Sequence, residues 1–116
     1  GGMLYVTEVG SGSVAQIDLA SGTRKALAEG LLGPEGIDVG PDGRLYVAEV
    51  GRAQVLAIDP RTGERVVVAR NLSLGLPAVP GLPPSYVTTG VAVGASGAVY
   101  VSSDVRNALY KLTPPQ

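Results

Sequence analysis

The feature that most constrains this chain is an internal repeat. The segment 4–31, LYVTEVGSGSVAQIDLASGTRKALAEGL, aligns without a gap on 45–72, LYVAEVGRAQVLAIDPRTGERVVVARNL, 41 residues further on. The segment 36–50, GIDVGPDGRLYVAEV, aligns in the same way on 90–104, GVAVGASGAVYVSSD, at a spacing of 54 residues. The 13 additional residues of the second spacing lie between Leu72 and Gly90. Such a chain is predicted to fold as a few copies of one small unit.

Each copy is predicted to consist of short strands. Apolar and polar residues alternate over short runs, and glycine-containing pairs separate the runs: Ser21-Gly22, Asp42-Gly43, Thr62-Gly63 and Ser96-Gly97. Glycine supplies the positive φ that a tight hairpin turn requires. Named A to D from the inside of the repeat outward, the predicted strands are A at 36–40 and 90–94, B at 4–9, 45–50 and 99–103, C at 14–19, 54–59 and 108–113, and D at 23–29 and 64–70.

Repeats of about 40 residues, each with four antiparallel strands, are typical of the blades of a β-propeller. The sequence therefore predicts an all-β fold with the strand order B-C-D, A-B-C-D, A-B-C. We interpret residues 1–116 as a single partial propeller, in which a full blade at 36–70 lies between incomplete blades at 4–29 and 90–113. The first blade lacks its inner strand A, and the last lacks its outer strand D.

Composition excludes several kinds of chemistry. The 116 residues contain no Cys and no His, so the chain has no thiolate, no imidazole base and no Cys or His metal ligand. A metal site would need oxygen ligands, which favours Ca²⁺ or Mg²⁺. Nine Lys and Arg against ten Asp and Glu leave no basic patch for a nucleic acid. No apolar run approaches the ~20 residues of a membrane span, and no signal peptide is evident, so we expect a soluble protein of unknown compartment.

The stretch GPEGIDVGPDGRLYVAEV at 33–50 closely resembles the repeat of six-bladed propellers of the NHL and senescence-marker-protein/gluconolactonase type. Their shared pattern is roughly Pro-x-Gly-[Ile/Leu]-x-Val-x-x-x-Gly-x-[Leu/Val]-[Tyr/Trp]-Val-[Ala/Ser]. The chain also resembles propellers of the scytonemin gene cluster, which carry phrases similar to GPEGI and TGVAVG. The resemblance covers nearly the whole chain except 73–85. It implies an architecture more than an activity, because the matching residues are mostly those that build a blade.

The same resemblance implies a metal site. Lactonase-like members bind a divalent cation at the top of the central channel, with one ligand between Pro and Gly at the start of strand A. That position is Glu35 here, so Glu35 is the candidate ligand for Ca²⁺. The equivalent position of the last repeat is Thr89, and the second ligand motif of the lactonase-like proteins is not visible.

Five charged residues are candidates for a ligand site. Glu8 and Glu49 each end a strand B and Glu35 begins a strand A, so all three are expected on one face of the propeller. They either form an acidic cluster that binds a cation or a positively charged ligand, or they are solvated loop-end charges, some of which pair with Arg52 or Arg106. Arg52 and Arg106 share the B-to-C corner, where an arginine either recognises a carboxylate or phosphate or pairs with a glutamate of a neighbouring blade.

Other polar positions have structural interpretations. Asp18 and Asp59 close strand C and are predicted to accept hydrogen bonds from the amides of the following turns. The Pro-rich loop at 73–85 is interpreted as a cap over the channel or a partner contact, with a disordered insertion as the alternative. Apolar residues at repeat-equivalent positions are expected to be buried between blades: Val6, Ile17, Val39, Val47, Ile58, Val93, Val101 and Leu112.

Three blades are too few to close a ring. The end blades would expose apolar faces, and the inner edge of strand B at 4–9 would have no neighbour. We therefore expect a homodimer that closes a six-bladed ring about a two-fold axis. The alternatives are a five-bladed ring made by strand exchange and a fragment of a longer propeller completed by another polypeptide. The sequence favours a binding or assembly module of unknown ligand over an enzyme, and the alternative function is a metal-dependent lactonase-type hydrolase.

Overall fold

The computed structural model describes residues 2–75 and 89–113. Within these residues the chain forms β-strands and one short 3₁₀ helix, Val50–Arg52, and no helix there is long and apolar enough to cross a membrane. The strands are β1 Met3–Glu8, β2 Ser13–Asp18, β3 Arg24–Ala28, β4 Pro34–Val39, β5 Leu45–Glu49, β6 Gln54–Ile58, β7 Arg65–Ala69, β8 Val91–Val93, β9 Val99–Ser103 and β10 Ala108–Leu112.

The strands form three antiparallel sheets. The first sheet has the order β1-β2-β3, the second β4-β5-β6-β7 and the third β8-β9-β10. These sheets confirm the predicted order B-C-D, A-B-C-D, A-B-C. Of the predicted Pro-rich loop at 73–85, only residues 73–75 fall within the described part of the chain, so its proposed roles stay predictions.

The hairpin turns follow the sequence prediction. All four turn glycines have a positive φ: Gly22 (75°), Gly43 (81°), Gly63 (78°) and Gly97 (90°). The carboxylate of Asp18 accepts a hydrogen bond from the amide of Ala20 at 2.8 Å, and that of Asp59 accepts one from the amide of Arg61 at 2.8 Å. Both aspartates thus have the predicted turn-forming role.

Strand β5 lies at the centre of the molecule, with every residue buried. Its side chains alternate between two apolar cores, as the two-residue period of a strand requires. The core between the first and second sheets contains Val14, Leu27, Ala28, Leu31, Leu45, Val47, Leu56 and Ile58. The core between the second and third sheets contains Tyr46, Ala48, Val55, Ala57, Leu74, Val99 and Val101.

The expected burial of the repeat-equivalent apolar residues is confirmed at three of the eight positions and holds in part at four others. Three are fully buried, Val47, Ile58 and Val101, and four are half-buried, Val6, Ile17, Val93 and Leu112. The prediction for Val39 is wrong, because this side chain is 47% exposed. Val39 lies on the same side of β4 as Ile37, which packs on the core shared with the first sheet. Among the described residues, the first sheet has no inner strand A that could cover the next position along β4.

Candidate functional site

The end of β5 holds the most enclosed of the predicted site residues. Glu49 is 1% exposed, and its carboxylate accepts hydrogen bonds from the Leu32 amide at 2.9 Å and from Gln54 Nε2 at 2.6 Å. Arg52 also donates to this carboxylate and to the carbonyl of Gly30, the latter at 3.1 Å. Because residues 30 and 32 follow β3, these contacts tie the second sheet to the loop that leaves the first.

This network keeps the carboxylate of Glu49 charged. Burial by itself would raise the pKa of Glu49, but the hydrogen bonds from the Leu32 amide, Gln54 and Arg52 outweigh it and hold the pKa below its usual range. A buried carboxylate with three donors is a stable structural link.

The third sheet repeats this link with different residues. Ser103 occupies the position of Glu49, and its hydroxyl donates to the carbonyl of Ser73 at 2.5 Å. Ser73 in turn occupies the position of Leu32. Arg106, the equivalent of Arg52, donates from Nε to the hydroxyl of Ser73 at 2.9 Å and from its amide to that of Ser103 at 3.3 Å. The end of each of these B strands is thus bonded to the loop that leaves the preceding sheet.

The expectation that the two arginines pair with a glutamate of a neighbouring blade is wrong for the described residues. Arg52 forms its ion pair with Glu49 of its own sheet, three residues away. Arg106 bonds to Ser73, and no ion pair of Arg106 occurs in the described ranges. A turn of only a few residues brings Arg52 back over the end of its own strand, where Glu49 is the nearer acceptor.

Glu8 is the equivalent of Glu49 in the first sheet, where the described chain has no preceding sheet. Its carboxylate pairs instead with Arg24 on β3, whose Nε lies 3.1 Å from Oε2, and accepts a hydrogen bond from Ser13 Oγ at 2.6 Å. The hydrogen bond from Arg24, followed by that from Ser13, lowers the pKa of Glu8 to about 2. The side chain of Glu8 is 33% exposed, so this carboxylate remains accessible at the edge of the molecule.

Glu35 links two neighbouring inner strands. Its Oε1 accepts a hydrogen bond from the amide of Thr89 at 3.0 Å, and its carbonyl accepts one from Thr7 Oγ1 at 2.5 Å. Three residues further along β4, Asp38 Oδ2 accepts a hydrogen bond from the amide of Val93 at 2.7 Å. Two carboxylates of β4, Glu35 and Asp38, therefore accept hydrogen bonds from the backbone at and just before β8.

The structure does not bring the predicted acidic residues into a metal-binding group. Each of Glu8, Glu35 and Glu49 is directed to its own donors, and no three Asp or Glu of the described residues lie close enough to hold a metal ion. Ca²⁺ takes about six to eight oxygen ligands. The residues described around Glu35 do not fit that requirement, since Glu35 belongs to no group of three carboxylates within the described part of the chain. The binding roles of Glu8, Glu35, Glu49, Arg52 and Arg106 stay predictions.

Sequence reasoning missed the partners that complete these links. Ser103 and Ser73 are ordinary surface residue types, and the donor at Leu32 is a backbone amide. The repeat alignment contained the signal, because Glu49 and Ser103 are 54 residues apart and Leu32 and Ser73 are 41 apart.

Comparison with known proteins supports the architecture. A family model described as strictosidine synthase-like, N-terminal, matches residues 17–50, which are 34 of the 116 residues. Virginiamycin B lyase from Staphylococcus aureus, in a catalytically inactive form with quinupristin, superposes with a TM-score of 0.68 at 19% identity over 96% of this chain and 34% of that one. A chain of a nidogen/laminin complex gives 0.63 at 18% identity over 99% of this chain and 45% of that one.

A protein described as a gluconolactonase is also similar, with a TM-score of 0.58 at 23% identity over 94% of this chain and 34% of that one. This chain is a set of β-propeller blades. It spans between 34% and 45% of the length of these three structures. Identities this low show a shared fold and leave activity open. No curated protein sequence matches the chain.

Proposed function

We propose that this chain is an assembly module, a partial propeller that packs against a second copy to close a ring whose loops bind a ligand. One observation carries the proposal. Residues that are buried in the middle sheet have equivalents in the end sheets that are exposed. Leu45 is fully buried and its equivalent Leu4 is 46% exposed, while Val55 is fully buried and its equivalent Leu109 is 64% exposed.

The two exposed faces are complementary in kind. Leu4 lies on the outward side of the first sheet, opposite Ile17. Its equivalent in the second sheet, Leu45, lies on the face that packs against the first sheet. Leu109 lies on the outward side of the third sheet, opposite Ser102. Its equivalent in the second sheet, Val55, lies on the face that packs against the third sheet. The third sheet of one copy can therefore pack on the first sheet of another, as consecutive sheets do within the chain.

Such a contact joins two different faces, so it closes only when a rotation returns to its starting point. Two copies related by a two-fold axis supply six blade equivalents and leave neither face exposed. Glu8 is placed at the seam, in the position where Glu49 receives its donors from the preceding sheet. A second copy is thus expected to offer Glu8 new donors.

The test is the self-association of two single variants of the full chain. Leu109→Asp places a charge in the proposed seam and should convert the dimer to a folded monomer, because burying an unpaired carboxylate is unfavourable. Val66→Asp is the matched control, since Val66 is similarly exposed, at 54%, but lies outside both end faces. Sedimentation velocity and circular dichroism report mass and folding. Equal association of both variants would contradict the proposal.

The finer family relationship is also an inference. We place the chain near the scytonemin-cluster propellers because of GPEGI at 33–37 and TGVAVG at 89–94.

The hydrolase alternative makes a separate prediction, namely lactone hydrolysis that requires Ca²⁺ and is lost in Glu35→Gln. That result would replace a binding role with a catalytic one.

A further inference from the structure

We propose that the outer edge of the third sheet accepts an extended peptide segment with the chemistry of β7, which adds beside β10 as a fourth strand. The inference rests on the proposed role of the chain as an incomplete set of blades and names a second kind of partner for it. In the second sheet β7 pairs with β6, and β10 is the equivalent of β6. Among the described residues no strand pairs with the outer edge of β10.

A groove lies along this edge. It encloses about 380 Å³, and we call it the acceptor groove; its walls include Arg44, Tyr46, Val68, Val99, Lys111 and Leu112. Tyr46, Val99 and Leu112 also belong to, or pack on, the core between the second and third sheets. The acceptor groove is therefore the outward continuation of an interface that already joins two blades.

The first two sheets show what is missing from the acceptor groove. On β3, Leu27 is only 9% exposed because it lies in the core between the sheets, against which Val67 of β7 also packs. Val68 occupies the position of Leu27 in the next blade and is 41% exposed. The residue that would cover Val68 is the counterpart of Val67 on a fourth strand of the third sheet.

Polar groups define the incoming segment further. Arg65 at the start of β7 donates to the carbonyl of Glu29 at 2.9 Å, which fastens β7 to the end of the preceding sheet. The carbonyl of Arg70 is the repeat equivalent of that acceptor. Lys111 lies at the rim of the groove with its ammonium over the ring of Tyr100, and it forms no ion pair with the part of the chain that the structure describes. An acidic residue at the position of Glu64 would complement this charge. The expected ligand is an extended segment of the form Glu-Arg-x-Val.

The probe is a fluorescent peptide of residues 60–72, PRTGERVVVARNL, titrated with the full chain. We expect saturable binding, and a peptide with Val67→Asp should bind about tenfold more weakly or worse, because its charge would enter the apolar groove. A peptide with Val66→Asp is the matched control and should bind like the parent, since neighbouring residues of a strand point to opposite faces.

Backbone chemistry gives a second readout. Along an antiparallel edge, alternate residues direct their N–H groups to the neighbouring strand. N-methylation of one alternate set should abolish binding, while methylation of the other set should leave it intact, and hydrogen exchange should slow at β10. Equal effects of the two sets, or protection at β1 in place of β10, would overturn the proposal.

Variants of the chain separate this inference from ring closure. Val68→Asp should weaken peptide binding about tenfold or more while leaving the circular dichroism unchanged, because Val68 is already partly exposed. Leu109→Asp should abolish self-association and leave peptide affinity unchanged, because Leu109 lies on the opposite face of the third sheet. Absence of saturable binding by the parent peptide, or equal affinity for the Val67→Asp peptide, would refute the strand acceptor even if the ring forms.

Discussion

At the scale of single residues, the network around Glu49 is expected to be the most sensitive polar site. Glu49→Ala leaves the Leu32 amide and the Arg52 guanidinium without the acceptor that the buried carboxylate supplies, so the free energy of unfolding should fall by about 3 kcal/mol. Glu64→Ala removes an exposed glutamate and should change stability by less than about 0.5 kcal/mol. Urea denaturation of both variants measures the difference. Similar losses for the two would mean that Glu49 is not a structural link.

The pKa of Glu8 tests the ion pair between Glu8 and Arg24 in the first sheet. Side-chain carbon NMR should give this carboxyl a pKa of about 2, and Arg24→Gln should move the pKa back toward its usual value of 4.5. Since the pKa is lowered in the folded state, the Glu8–Arg24 pair stabilises the fold above pH 4.5 and this contribution is lost as the pH falls toward 2. A pKa that is near 4.5 in the parent chain would contradict the ion pair.

The residue scale also shows what local sequence could predict. The turn glycines and the turn-closing Asp18 and Asp59 were predictable, because their roles depend on a few neighbouring residues. The left-handed conformations of Ala53 (53°) and Asn107 (50°) were not, since neither residue is glycine. Only their alignment with Gly12, which has a φ of 69°, indicates that this corner requires a positive φ in every blade. The partners of Glu49 come from another sheet and depend on tertiary packing.

At the scale of elements, strand positions were predicted to within about two residues, because alternation and turn signals agree in every repeat. The main difference is at β4, which begins at Pro34 where strand A was predicted from residue 36. Pro34 pairs with Glu49 across an irregularity in register that alternation does not reveal. Strand β4 is thus extended by the contact of Pro34 with the end of β5.

Strands β4 and β8 lie close together at Gly36, and a substitution there tests this contact. A Cβ added there would lie 2.4 Å from the carbonyl oxygen of Thr89 and 2.6 Å from the amide of Val91. Gly36→Ala should therefore force β4 and β8 apart and destabilise the chain by about 1–3 kcal/mol. Gly90, its repeat equivalent, is the matched control, because a Cβ there meets only Ser102 Oγ at 3.7 Å. Thermal unfolding should show a loss for Gly36→Ala that is clearly larger than for Gly90→Ala.

At the scale of the whole molecule, the account depends on the two uncovered end faces. Three sheets pack face to face, and the middle one has an apolar core on each side. The outer two repeat its apolar positions on faces that none of the described residues covers. A closed ring of two copies satisfies both faces with the same kind of contact that the chain already makes internally.

The most direct test of this claim is the solution mass of the unmodified 116-residue chain, measured by light scattering coupled to size exclusion across a range of concentrations. We expect a single species of twice the 11.7 kDa chain mass. A folded species that stays at 11.7 kDa, with the circular dichroism of β-sheet, would contradict ring closure by self-association.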